Sequence, residues 1–144
     1  MRKTQHGFTL IEIMVVVVIL AVLGALVVPN IIDKVDQARV TRAKADIRAI
    51  ETALDLYRLD NFKYPTTEQG LQALVKQPAD PTLTNYRTGG YLPSLPKDPW
   101  NRTYQYVSPA TGGGDYEITS LGRDGQPGGD GYDADISSAN LEQK

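Results

Sequence analysis

The 144-residue chain contains no cysteine. This absence excludes disulfide bonds, thiolate metal sites and a cysteine nucleophile, so the folded part must be stabilised by its apolar core or by a bound ion. The only histidine is His6, which leaves the rest of the chain without the commonest general base and the usual zinc ligand. We therefore predict that the protein is not an enzyme.

The chain also lacks a large excess of charge of either sign. Lysine and arginine total 15 and aspartate and glutamate total 17, which gives a net charge of −2 at pH 7. No stretch has the density of basic residues that nucleic-acid binding requires, so we predict no nucleic-acid partner. The length suffices for one small domain beside an apolar segment.

A long apolar run near the N-terminus contains a single acid. Residues 13–28 include no polar side chain, and Glu12 lies at the start of the run. A carboxylate at membrane depth costs roughly 2.5–3.5 kcal/mol on insertion scales, and such residues are usually functional and paired. Glu12 is therefore a candidate functional residue whose partner must be found.

The same run has the length of a membrane span. The length of residues 8–28 is close to the roughly 20 residues that cross a bilayer. Arg2 and Lys3 precede this run, and positive charge on that side favours a cytoplasmic N-terminus. An ordinary secretory signal is the simpler interpretation, but its apolar region covers only about 7–15 residues. A plain transmembrane anchor remains compatible with the pattern.

A second helical segment follows the apolar run. Pro29 and Asn30 are expected to interrupt or kink the helix, and residues 33–60 then contain no glycine or proline. Their apolar side chains recur at helical spacing and form one stripe: Ala43, Ile47, Ile50, Leu54 and Tyr57. If residues 8–60 form one helix, it approaches about 80 Å at about 1.5 Å per residue. That length suits a filament subunit better than a small globular domain.

The remaining chain predicts a small sheet that covers this stripe. Residues 61–99 indicate a loop region with one short helix over residues 67–74, starting on a cap at Thr67. Residues 103–107 and 115–120 alternate like strands and are joined by a glycine-rich hairpin at 110–114. Trp100 and Phe62 are expected in the core. The fold class is therefore predicted to be α+β.

Residues 124–135, which we call the acidic loop, hold four aspartates among four glycines. Calcium takes six to eight hard oxygen ligands at roughly 2.3–2.6 Å, and glycines let carbonyl oxygens turn inward. Asp133 and Asp135 would lie on the same side of an extended segment. The residues alone leave two interpretations open, namely a calcium site and a solvated acidic tail.

Several motifs resemble one family. The segment Gly-Phe-Thr-Leu-Ile-Glu at residues 7–12 resembles the cleavage and methylation signature of type IV pilins and of the pseudopilins of type II secretion. Residues 60–71, 95–100 and 120–125 are similar to the major, G-type, pseudopilins. The resemblance implies a type IV pilin-like fold, in which a long N-terminal α-helix packs on a small antiparallel β-sheet and a calcium loop lies near the C-terminus.

The resemblance also implies how the chain is processed. Residues 1–7 would be a leader peptide, removed by a prepilin peptidase that cuts between Gly7 and Phe8 and N-methylates Phe8. Residues 8–30 would form the transmembrane and filament-core half of the helix. Residues 31–144 would form a periplasmic head that includes an amphipathic helix over residues 31–60. Glu12 would pair with the N-terminal amine of a neighbouring subunit, since each charge is penalised if left alone at low dielectric.

The function that the resemblance implies is structural. The subunit would be a single-pass protein of the bacterial inner membrane, surrounded by lipid before assembly. It would then polymerise into a helical homo-polymer, the periplasmic pseudopilus, which drives export of folded proteins across the outer membrane. Minor pseudopilins and the inner-membrane assembly platform would be its partners.

The family pattern further implies a Ca²⁺ site in the acidic loop. Its side-chain ligands would be Asp124, Asp133 and Asp135, with main-chain oxygens of Leu121 and Gln126. Asp130 has no counterpart in that pattern and is not assigned as a ligand.

Three alternatives stay open from the sequence. A type IV pilin for adhesion, motility or DNA uptake shares the N-terminal motif, although such pilins usually carry a C-terminal disulfide. A membrane-anchored, calcium-dependent binding module would need a groove with exposed aromatics, for which Tyr91 after two glycines is the only hint. A membrane-anchored hydrolase would have to use paired aspartates of the acidic loop.

Overall fold

The computed structural model describes residues 7–141, and for residues 26–31 it describes the backbone alone. Helix α1 (Leu10–Asn61) is followed by a 3₁₀ helix (Leu71–Leu74) and by three strands: β1 (Gln105–Val107), β2 (Glu117–Ser120) and β3 (Ile136–Ser137). Two more 3₁₀ helices, Gly131–Asp133 and Ser138–Asn140, flank β3. The strands form one antiparallel sheet in the order β1-β2-β3. The predicted α+β fold, a long helix with a small antiparallel sheet, is confirmed.

The two predicted strands are present, and a third was missed. Tyr106 of β1 pairs with Ile118 of β2, and Ser120 of β2 pairs with Ile136 of β3. Both residues of β3 are buried, so this two-residue strand shows no alternation of apolar and polar side chains that a sequence pattern reveals.

The break predicted at Pro29 is absent from the secondary structure. Helix α1 runs through Pro29 as part of a continuous helix of 52 residues. A proline removes one backbone N–H donor from a helix, and the turns on either side remain helical here. The structure therefore agrees with the possibility that residues 8–60 form one helix, and the expected interruption is wrong.

The chain divides into two compact units, residues 1–36 and residues 37–144. In the first unit, every large apolar side chain from Leu10 to Leu23 is at least half exposed. Among the described residues, no helix is long and apolar enough to cross a membrane. The predicted span of residues 8–30 includes residues 26–30, whose side chains lie outside the described part.

The second unit has its core on the predicted stripe of helix α1. Ala43, Ile47, Ile50, Leu54 and Tyr57 are fully buried. Around them the loop region and the sheet contribute further buried side chains, namely Leu71, Ala73, Leu74, Leu83, Tyr104, Tyr106, Ile118, Ile136 and Leu141. The expectation that the sheet covers the stripe is thus confirmed.

The end of helix α1 is held by side-chain hydrogen bonds. The Asn61 amide donates to the carbonyl of Tyr57 at 2.9 Å and to the hydroxyl of Tyr91 at 2.8 Å, which satisfies one of the carbonyls that a helix C-terminus leaves unpaired. Phe62 follows with φ 60° and is 83% exposed. Its predicted place in the core is therefore wrong, because the left-handed turn that ends the helix carries its ring into solvent. Trp100 does pack against the core.

The short helix after this turn begins differently from the prediction. It starts at Leu71, with Gly70 as its N-cap and no side-chain cap. In the turn before it, Gln69 N–H donates to Thr66 Oγ1 at 3.2 Å and Thr66 N–H donates to Gln69 Oε1 at 3.0 Å. Thr67 instead bridges to Ser108, accepting from its N–H and donating to its carbonyl. Thr67 therefore ties the loop region to the end of β1 and does not cap a helix.

We predict that Leu54→Ala lowers the free energy of unfolding by about 2–5 kcal/mol, because a fully buried leucine leaves a cavity. Leu59→Ala on the same helix is the matched control, since Leu59 is 70% exposed, and its effect is expected within about 0.5 kcal/mol. Urea unfolding of the full-length chain in detergent micelles, followed by Trp100 fluorescence, measures both. Equal effects would contradict the assigned core.

Candidate functional site

The N-terminus of helix α1 is closed by Thr9 and Glu12. The backbone N–H of Glu12 donates to Thr9 Oγ1 at 3.3 Å, and the backbone N–H of Thr9 donates to Glu12 Oε2 at 3.3 Å. This is a capping box, in which each residue's side chain accepts from the other's backbone N–H. Glu12 therefore has a partner inside its own chain. The Thr-x-x-Glu spacing is visible in the sequence, but the pairing was missed there because the acid was considered only as a membrane-depth charge.

The predicted processing bond lies just ahead of this box. Gly7 and Phe8 precede the helix in irregular backbone, and Phe8 is 81% exposed. Residues 1–6 of the predicted leader lie outside the described residues. Cleavage between Gly7 and Phe8 and methylation of Phe8 remain predictions.

In the head, a buried aspartate organises the turn before β1. The carboxylate of Asp98, 1% exposed, accepts from the backbone N–H of Trp100 at 3.1 Å and of Arg102 at 2.7 Å. Its other oxygen accepts from the Ser120 hydroxyl at 2.9 Å. Since Ser120 ends β2, Asp98 fastens the turn to the point where the chain leaves the sheet for the acidic loop.

Arg102 extends this connection into the acidic loop. Its guanidinium donates to the carbonyls of Gly122 and Arg123, the latter at 3.4 Å. It also contacts Gly125, where a Cβ atom would lie 2.3 Å from an Arg102 nitrogen and where φ is +72°. A larger residue there would have to adopt a left-handed backbone and displace the Arg102 guanidinium. Sequence reasoning did not single out Arg102, because nothing in its local pattern shows what a long side chain reaches.

Each of the three predicted side-chain ligands in the acidic loop accepts a hydrogen bond from a nearby group. Asp133 is held by Arg123, whose Nε donates to Oδ1 at 2.8 Å and whose NH2 group donates to Oδ2 at 3.1 Å. These hydrogen bonds lower the pKa of the Asp133 carboxyl below its ordinary value. Asp135 Oδ2 accepts from Gly128 N–H at 2.9 Å, and Asp124 Oδ1 accepts from Gln126 N–H at 3.0 Å.

The remaining loop oxygens differ in how they are paired. Within the described residues, Asp135 Oδ1 is buried and has no hydrogen-bond partner. The carbonyl of Leu121 accepts from Gly125 N–H at 3.1 Å, and the Asp130 side chain is exposed. Since residues 131–133 form a 3₁₀ helix, the extended segment expected around Asp133 is not present. In residues 7–141 no three acidic, histidine or cysteine side chains are gathered closely enough to hold a metal ion.

Two family models match this chain, one at the N-terminus and one over most of the remaining residues. Residues 2–28 match the prokaryotic N-terminal methylation motif, and residues 30–139 match the family described as Type II secretion system (T2SS), protein G. The chain therefore belongs to the type II secretion system protein G family.

Individual relatives agree with this assignment. The type II secretion system core protein G of Pseudomonas aeruginosa is 57% identical over 138 residues, covering 95% of this chain and 96% of the relative. That of Vibrio cholerae is 54% identical over 142 residues, covering 99% and 96%. The crystal structure of the major pseudopilin of enterohaemorrhagic Escherichia coli type 2 secretion superposes with a TM-score of 0.66 at 45% identity, covering 78% of this chain and 96% of that one. These matches confirm the prediction of a major pseudopilin of type II secretion and do not favour the alternative of an adhesion pilin.

We predict that Asp98→Asn lowers the free energy of unfolding by about 1–3 kcal/mol or more, because the amide presents donors to buried N–H and O–H groups that need acceptors. Asp115→Asn is the matched control: its side chain is 66% exposed and pairs with Arg58 at 3.2 Å, so a change of at most about 1 kcal/mol is expected. Urea unfolding in micelles compares them. A neutral Asp98→Asn would show that the turn does not depend on the buried charge.

Proposed function

We propose that this chain is the structural subunit of a type II secretion pseudopilus and performs no chemistry of its own. A prepilin peptidase cleaves it between Gly7 and Phe8 and N-methylates Phe8. Residues 8–30 hold the mature subunit in the bacterial inner membrane, with the head in the periplasm. The subunits then polymerise into a periplasmic filament that drives folded proteins across the outer membrane.

The observation that carries this proposal is the exposed apolar surface of helix α1. From Leu10 to Leu23 its large side chains are at least half exposed, and an apolar surface of this extent must be covered by something other than water. Lipid covers it in the anchored subunit, and copies of the same helix cover it in the filament. Both surroundings require the same composition, so one segment serves before and after assembly.

The capping box supports a specific role for Glu12 in that transfer. In the single chain its carboxylate accepts from the Thr9 N–H, which is one exposed hydrogen bond. Inside a filament core the carboxylate is desolvated and needs a full charge partner. The N-terminal ammonium of Phe8 in a neighbouring subunit supplies it. Minor pseudopilins and the inner-membrane assembly platform are the further partners expected for such a filament.

We predict that Glu12→Leu and Glu12→Gln both abolish filament formation while membrane insertion is retained, because removing one partner of a desolvated ion pair costs about 3–5 kcal/mol per contact. Glutamine keeps the capping hydrogen bond to Thr9 and loses only the charge. Negative-stain electron microscopy of assembled filaments and carbonate extraction of membranes measure the two properties. Normal filaments from Glu12→Gln would assign Glu12 to capping alone.

We further propose that the acidic loop of the head binds Ca²⁺. The side-chain ligands are Asp124, Asp133 and Asp135, and the carbonyl oxygens of Leu121 and Gln126 contribute two more. The donor chemistry fits, since all are hard oxygens. The buried Asp135 Oδ1, unpaired among the described residues, is an oxygen that a cation would satisfy. A bound cation would supply charge neutralisation and a cross-link between the two ends of the loop.

We predict that saturating Ca²⁺ raises the melting temperature of the full-length chain in detergent micelles relative to EDTA. A hundredfold excess over the Kd adds about 2.7 kcal/mol of stability, which corresponds to a rise of about 10 °C for a small domain. Asp135→Ala should remove the rise, while Asp130→Ala, the control, should retain it. Identical melting with Ca²⁺ and with EDTA would leave the loop as a solvated acidic segment.

A further inference from the structure

Arg123 occupies both oxygens of one proposed calcium ligand. Its guanidinium lies against the Asp133 carboxylate with two parallel hydrogen bonds, at 2.8 Å and 3.1 Å. Such bidentate pairs are the strongest and most directional that a carboxylate forms with a side chain. A calcium ion needs at least one of these oxygens, and a second positive charge beside it is repelled. Guanidinium and Ca²⁺ therefore compete for Asp133.

The backbone holds this pair in place without a metal. The N–H of Arg123 donates to the carbonyl of Tyr132 at 3.0 Å. At Gly122, with φ +60°, an added Cβ would lie 2.6 Å from the carbonyl oxygens of Asp133 and Ala134. The two ends of the acidic loop thus touch along their main chains, and the Arg123–Asp133 ion pair closes the contact from the side.

The ion pair between Arg123 and Asp133 is more exposed than the ion pair between Arg102 and Asp98. In the pair between Arg102 and Asp98 the carboxylate is 1% exposed, whereas the side chains of Arg123 and Asp133 are 46% and 34% exposed. An exposed ion pair costs less to break than a buried one, because water solvates both charges when they separate. Arg123 is therefore the more readily displaced of the two arginines, while Arg102 is held by the carbonyls of Gly122 and Arg123.

We propose that Arg123 is a displaceable internal cation, which holds Asp133 in the metal-free loop and leaves it when Ca²⁺ binds. The inference rests on the proposed calcium site and states how that site is regulated. Arg123 keeps the loop closed when calcium is absent and lowers the affinity for calcium, because each binding event must first break the ion pair. The loop thereby exchanges one cation for another and does not unfold between its two states.

Calorimetric Ca²⁺ titration of the full-length chain in detergent micelles tests the exchange. Arg123→Gln should tighten the Kd about five-fold, the factor expected from removing a competing surface ion pair. Arg123→Lys keeps the charge without the bidentate geometry and should lie between. Arg87→Gln is the matched control, because Arg87 pairs with Asp60 at 3.2 Å with similar exposures of 47% and 25%. Its Kd should equal that of the unmodified chain.

A second readout follows the ion pair directly. In a metal-free sample, the Nε–Hε NMR signal of Arg123 should be shifted by its hydrogen bond to Asp133, and this shift should vanish in step with calcium saturation. A signal unchanged at saturation overturns the exchange, as does an equal Kd for Arg123→Gln and the unmodified chain. If neither chain binds calcium, the calcium site itself is refuted and the inference with it.

Discussion

One stripe of helix α1 anchors the head. Ala43, Ile47, Ile50, Leu54 and Tyr57 are fully buried, and side chains from the loop region and the sheet pack in the same core. The loop region supplies Leu71 and Leu74, and the sheet supplies Tyr106 and Ile118. A three-stranded sheet with strands this short is not stable by itself. The helix therefore acts as the second layer that the sheet needs, and the same helix continues into the apolar segment that the filament requires.

A domain without cysteine must restrain its long loops by other means. Here side-chain hydrogen bonds do so at a few points: Asn61 at the helix end, Thr67 between the loop region and β1, and Asp98 between the turn and β2. These bonds are partly or fully buried in the case of Asn61 and Asp98, where an unpaired group is costly. Arg102 continues the series into the acidic loop. The loop is thus attached to the core through its own chain before any metal is considered.

The N-terminal segment and the acidic loop place their carboxylates in different surroundings. At the N-terminus a single carboxylate lies in an apolar surface, so its partner decides whether the surface can be buried. At the acidic loop, Arg123 binds the carboxylate of Asp133 and Arg102 binds the main-chain carbonyls of Gly122 and Arg123, so positive side chains hold this part of the chain together.

Much of this was determined by the sequence alone. Helical spacing predicted the buried stripe, β-forming residues predicted β1 and β2, and residues 7–12 resembled an N-terminal methylation motif that the family comparison confirms, because each is a local or periodic property of consecutive residues. Only the tertiary structure decided the place of β3, the exposure of Phe62, and the reach of Arg102 and Arg123. A two-residue strand has no period, and a long side chain finds its partner through the path of the backbone, 20 residues away in the case of Arg102 and Gly122.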